Sequence, residues 1–100
     1  MTIPAEILRL WQGHSSAGYP SGFGHRVITG IDMPLLDAEI AGCIRKFIHA
    51  DGKLDRRQAK ILRERLIDLN SIVLLLESEE LNYFSRLATL ANLILQYLEG

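Results

Sequence analysis

The stretch SEELNYFSRLATLANLILQYLE, residues 78–99, decides how this chain folds. Leu81, Phe84, Ala88, Ala91, Leu95 and Leu98 recur at spacings of 3-4-3-4-3, and Tyr83, Leu87, Leu90, Ile94 and Tyr97 recur at 4-3-4-3 beside them. Steps of three and four residues keep side chains on one face of an α-helix, so each series is an apolar seam. Two adjacent seams face two partners, not one. What remains is a strip of Asn82, Ser85, Arg86, Thr89, Asn92, Gln96 and Glu99, where only Arg86 and Glu99 are charged. Ser78 is the expected N-cap, with Glu79 and Glu80 at the positive end of the helix dipole. Such a helix is either central in a bundle or half of a subunit interface. The other helices read as too short to cover both seams, so a homodimer is expected, with Tyr83, Leu87, Leu90, Ile94, Tyr97 and Leu98 as candidate interface residues.

Working backwards along the chain, Asp55 is the expected cap of a helix whose stripe is Leu62, Leu66, Leu69, Val73 and Leu76. Asn70 and Ser71 compete for backbone hydrogen bonds, which leaves open whether this helix runs through them. Before it, Asp32-Met33-Pro34 reads as a helix start. Met33, Leu36, Ile40, Cys43, Ile44, Phe47 and Ile48 then form an amphipathic stripe that ends at Asp51-Gly52, with Gly52 as the left-handed terminator. At the N-terminus, Thr2 and Pro4 open a helix of about two turns carrying Ile3, Ile7, Leu10 and Trp11, which Gly13 is expected to stop. From there to Ile31 the chain holds Gly13, Gly18, Gly22, Gly24 and Gly30 with Pro20 and three serines, a density of breakers that no helix survives. Only residues 25–29 could be extended, as a lone strand or half of a hairpin.

The fold expected is therefore an all-α, single-domain small helical bundle over residues 1–100. It comprises a short N-terminal helix (1–12), a glycine-rich loop or arm (13–31) and a three-helix bundle (32–100), packed as a dimer. Apolar residues make up 48% and charged residues 23% of the chain, and the mean hydropathy of +0.12 is high for a domain with so few charges; a core plus an interface would absorb the excess. The longest apolar run, Ile72 to Leu76, is far short of the roughly 20 residues a membrane span needs, and no signal-peptide pattern is read at the N-terminus. A single cysteine excludes an internal disulfide framework, so a reducing, cytoplasmic location is expected. The net charge of −1 provides no field to attract nucleic acid or acidic membranes.

Four features were weighed as sites. The turn His49 to Asp55 contains Asp-Gly-x-x-Asp, but a calcium loop starting at Asp51 would place Lys53, Arg56 and Leu62 where oxygen, glycine and glutamate are needed. This turn resembles the helix–turn–helix junctions of several small all-helical families, tellurite-resistance-type domains among them; the likeness is confined to the turn and implies only a capped junction. His14, His25, His49 and Cys43 show no three- or four-residue spacing that would present a metal-ligand pair on one helix, and Cys43 lies within an apolar stripe as an inert filler. Arg56, Lys60 and Arg63 share a helix face with Arg57 and Arg65 nearby, but Glu64 and Asp68 interleave them as weak ion pairs. The helix that follows is the most apolar in the chain, so DNA reading is not expected. In the loop, Tyr19, Phe23, His25 and Arg26 are the candidate ligand-binding residues: glycines expose backbone N–H groups, while His25 and Arg26 supply a titratable group and a fixed cation. The loop matches neither phosphate-binding nor dinucleotide-binding glycine patterns. The expected function is a non-enzymatic protein–protein interaction module that self-associates through its C-terminal helix and uses no cofactor. The alternative is a small-molecule or anion-binding protein, or an enzyme, built on the loop.

Overall fold

A computed structural model describes residues 3–20 and 26–100. The all-α bundle forms as expected, from α1 (Ala5–Ala17), α2 (Met33–His49), α3 (Arg56–Ile72) and α4 (Ser78–Glu99), with a two-residue-per-strand hairpin, β1 (Val27–Ile28) and β2 (Ile31–Asp32), leading into α2. Helix α4 is central and packs against α1, α2 and α3. No helix is long and apolar enough to cross a membrane among the described residues.

Most of both seams of α4 is buried within the chain, with Leu81, Ala88, Tyr97 and Leu98 partly exposed. Phe84, Leu87, Ala91 and Ile94 are fully enclosed and Tyr83, Leu90 and Leu95 nearly so, in one core with Met33, Ile40, Ile44 and Phe47 of α2 and Leu62 and Leu69 of α3. That part of the seams is covered without a second subunit. The reason is α1, which does not stop at residue 12 but continues to Ala17. Thirteen residues make a helix of about 20 Å, long enough to lie along α4 and cover it. Gly13 weakens a helix by only about 1 kcal/mol, and the turn after it places His14 inside the bundle, 3% exposed. Ser15 and Ser16 hydroxyls donate back to the Gln12 carbonyl at 3.2 and 2.8 Å, and the chain leaves the helix at Gly18, with φ +74°.

The glycine-rich segment also holds a hairpin. Thr29 and Gly30 both have positive φ (47° and 83°), the signature of a two-residue type I′ turn, and Val27 pairs with Asp32 and Ile28 with Ile31. The Asp32 carboxylate then accepts from the Leu35 N–H at 3.0 Å and caps α2. Helix α3 runs through Asn70 and Ser71 without a break; the Ser71 hydroxyl donates to the Asp68 carbonyl at 2.6 Å, so its competition stays within the helix.

Two turns join the three long helices. At the first, Gly52 N–H donates to the Phe47 carbonyl (2.8 Å) and Asp51 N–H to that of Ile48 (3.2 Å), a Schellman closure of α2. Asp51 (φ +57°) takes the left-handed C′ position expected for Gly52, which follows at φ +93°. Asp55 then caps α3 reciprocally: its carboxylate accepts from Gln58 N–H at 2.7 Å while the Gln58 side chain accepts from Asp55 N–H at 3.4 Å. The second turn is a 3-10 segment, Val73–Leu75, followed by Leu76 and Glu77. Ser78 is not the cap of α4: Glu77 occupies that position without a side-chain cap, and Ser78 itself stands at φ +54°.

Candidate functional site

The antiparallel run of α2, α3 and α4 brings the start of α2, the end of α3 and the start of α4 to one end of the bundle, where the hairpin also lies. A cleft of about 250 Å³ is bounded there by Gly30, Ile31 and Leu35 on one side and by Arg65 and Asp68 of α3 on the other. A second, of about 170 Å³, sets Arg26 opposite Leu75, Leu76, Glu77 and Glu80. The elements that form this end expose large apolar side chains: Leu74 is 93% exposed, Ile67 64%, Val27 61%, Leu75 57% and Leu35 56%. Single exposed leucines are ordinary; Leu35 lines the first cleft and Leu75 the second, with Leu74 and Val27 the chain neighbours of Leu75 and Arg26.

The charges on this end are mostly acidic. Asp32, Glu39 and Asp68 line the first cleft and Glu77 and Glu80 the second, against Arg26 and Arg65. Arg65 is held by Asp68 at 2.9 Å and by Glu39 at 3.7 Å. It is thereby separated from Arg56, Arg57, Lys60 and Arg63, which remain an exposed basic face toward the start of α3.

Beside this end, α1 meets α4 in a polar–aromatic cluster. The His14 ring lies 4.4 Å from that of Tyr83 and 6.1 Å from that of Trp11, and Tyr19 stands edge-on to Tyr83 and Phe84 at 5.5 and 6.1 Å. The Tyr83 hydroxyl donates to Asp37 Oδ1 at 2.7 Å, tying α4 to α2. Neither His14 nitrogen has a hydrogen-bond partner among the described residues. Burial, aided by the Arg86 guanidinium, lowers its pKa to about 4, so the ring is neutral at physiological pH. Burial raises the Asp37 carboxyl despite the Tyr83 hydrogen bond and Arg45, and raises Tyr83 further with Asp37 beside it. Tyr19 is pushed up to about 12 by burial and by Asp37 and Asp32. Every one of these shifts favours the uncharged form, and the histidine is closed to solvent. The ring contacts of the cluster join α1 to α4.

The candidate loop residues separate. Tyr19 is half-buried in this cluster, Arg26 is exposed at the second cleft, and Phe23 and His25 lie outside the described residues. Of the candidate interface residues, Tyr83, Leu87, Leu90 and Ile94 are internal; Tyr97 is half-buried edge-on to Phe47 at 5.6 Å, and it and Leu98 line a cleft of about 520 Å³ with Gly52 at the opposite end of the bundle. Cys43 is buried, donates to the Gln58 carbonyl at 3.7 Å and has its pKa raised by burial, as suits an inert thiol. His14 was visible as a continuation of the 3-7-10/11 spacing, since position 14 completes that helical face through Gly13. Leu74 and Leu75 fall outside the stripe Leu62, Leu66, Leu69, Val73 and Leu76, which is the signal that could have marked them as exposed. Comparison of the chain with protein-family models, curated proteins and solved structures finds no match in any of the three.

Proposed function

We propose that this chain is a non-enzymatic protein–protein interaction module that docks another protein chain, a second copy or a different protein, on the hairpin end of its bundle. The observation that carries this reading is Leu74, 93% exposed beside the 57% exposed Leu75 in the turn between α3 and α4. An exposed leucine of this kind gains roughly 1.5–3 kcal/mol if a partner covers it fully, and among the described residues nothing covers it. A small-molecule or anion site on Tyr19, Phe23, His25 and Arg26 has less support, because the Tyr19 ring is engaged with Tyr83 and Phe84.

Site-specific photo-crosslinking tests the proposal. A photoreactive residue in place of Leu74 should give a discrete adduct in cells, whose mass distinguishes a second copy from another protein. The same residue in place of exposed Arg57, on the basic face, should not. Equal labelling from both positions, or none from position 74, would sink the reading.

A further inference from the structure

We infer that the partner segment for the hairpin end is basic: an amphipathic stretch whose apolar side chains cover Leu74, Leu75, Val27 and Leu35 and whose flanks carry lysine or arginine. The inference rests on the interaction reading above and adds the chemistry of the occupant. Five carboxylates line the two clefts beside the apolar residues, against two guanidiniums, a local excess of three negative charges. Arg65 is already paired with Asp68 at 2.9 Å and lies 3.7 Å from Glu39, which reduces what its charge offers a partner's carboxylate. Two copies meeting through this same face would bring the two acidic rims together, a like-charge contact that opposes an isologous dimer. The same rim repels anionic lipid, which argues against a membrane surface as the occupant. A basic flank is attracted before contact, and the apolar centre then supplies the affinity.

The backbone of the 3-10 turn is consistent with this use. Ser78 is held at φ +54°, a conformation disfavoured for a non-glycine residue, immediately after the exposed leucines and next to Glu77 and Glu80. Strain of this kind persists where surrounding structure imposes it, often at binding surfaces.

The test uses two labelled helical peptides with the same leucine face, one with lysine and one with glutamate at every other position, titrated against the full chain by fluorescence anisotropy. The lysine peptide should bind about tenfold or more tighter than its glutamate twin, and its affinity should fall as salt rises. Leu74→Gln with Leu75→Gln, which leaves the charge unchanged, should weaken it by about tenfold. Glu77→Gln with Glu80→Gln should weaken it less and flatten the salt dependence. Lysine-peptide binding that ignores the leucine substitutions would be bare charge attraction and would overturn the inference. So would tighter binding of the glutamate peptide, or binding to vesicles of zwitterionic lipid through the same leucines. If neither peptide binds but light scattering shows oligomers that Leu74→Gln dissociates, the occupant is a second copy; the inference then fails while the interaction reading stands. No peptide binding, no oligomer and no adduct from position 74 would remove both.

Discussion

The turn from α2 to α3 and the turn from α3 to α4 solve the same problem differently. The first closes α2 with the Gly52–Phe47 and Asp51–Ile48 hydrogen bonds and opens α3 with the reciprocal Asp55–Gln58 cap, and Gly52 is packed beneath the Tyr97 ring. The second tightens into a 3-10 segment, exposes Leu74 and Leu75, leaves Glu77 without a side-chain cap and sets Ser78 in the left-handed region. In the first turn local chemistry and global packing agree, which is what specifies a structure. In the second they conflict, and a surface that breaks local rules without a gain in stability is where function is to be sought.

The comparison can be broken most easily at the residues each turn buries. Gly52 has φ +93°, and a Cβ there would meet Tyr97 and Ile3 at 3.4–3.5 Å. Gly52→Val is expected to cost about 2–3 kcal/mol, lowering the melting temperature by roughly 10–20 °C in circular dichroism. At the second turn Leu76, 5% exposed, is the buried member, and Leu76→Ala should cost about 2–4 kcal/mol. A loss below about 0.5 kcal/mol at Gly52 would mean that the first turn is not the rigid one.

His14 tests whether the end beside the second turn is dry, because it lies against Tyr83, early in α4. Its pKa is about 4 in the fold against 6.5 unfolded, so the unfolded chain binds more protons between those values. Stability is therefore complete above about pH 6.5 and falls by about 2–3 kcal/mol as the pH drops toward 4. Asp37 acts in the opposite sense, since its raised pKa favours the protonated fold at the acid end and offsets part of the loss. Urea titrations from pH 4 to 7 should show the slope, and His14→Phe, which keeps a ring against Tyr83, should flatten it. Equal slopes in both proteins would mean that the ring is hydrated.

The fold was legible wherever turn chemistry and periodicity agree. Asp32 and Asp55 announced two helix starts by residue type, and the seams of α4 marked it as either central in the bundle or half of a subunit interface, of which the central position is observed. Three features were not legible because packing overrode local preference. Gly13 reads as a stop, but burial of His14 carries α1 through it, and that extension covers the seam assigned to a second subunit. Ser78 reads as a cap by type, but the tight 3-10 turn shifts the helix start so that Glu77 takes the position. The 4-3-4-3 stripe carries one helix on to Leu76 and correctly separates Leu76, at 5% exposure, from Leu74, at 93%, but nothing in the apolar run Ile72 to Leu76 shows that the helix ends at Ile72 and tightens into a 3-10 turn. The candidate surface was half legible: the stripe leaves Leu74 and Leu75 off the core face, but a leucine off the stripe does not by itself declare a contact surface.

Smaller changes at the caps should have opposite signs at the two turns. Asp55→Ala removes a satisfied cap and is expected to cost about 1 kcal/mol. Ser78→Gly relieves a left-handed non-glycine residue and is expected to stabilise by up to about 1 kcal/mol, partly offset by the greater freedom of glycine in the unfolded chain. Melting temperatures would show the two variants on either side of the native protein. A destabilising Ser78→Gly would mean that the second turn is as well fitted as the first.

The smallest expected effect is the most informative. Leu74→Gln should leave stability within about 0.5 kcal/mol of the native protein, because a side chain that is 93% exposed makes almost no contacts to lose. Were Leu74 part of the fold, its replacement would resemble that of Leu76, two residues away in the same apolar run, and chemical denaturation would separate them by several kcal/mol or not at all. An unchanged midpoint and slope at position 74, beside a large loss at position 76, would mean that the chain keeps an apolar side chain from which its own fold gains nothing. The free energy available from covering that leucine is then left for another chain to realise. A clear loss of stability from Leu74→Gln would instead place the residue in the core and take the docking surface away with it.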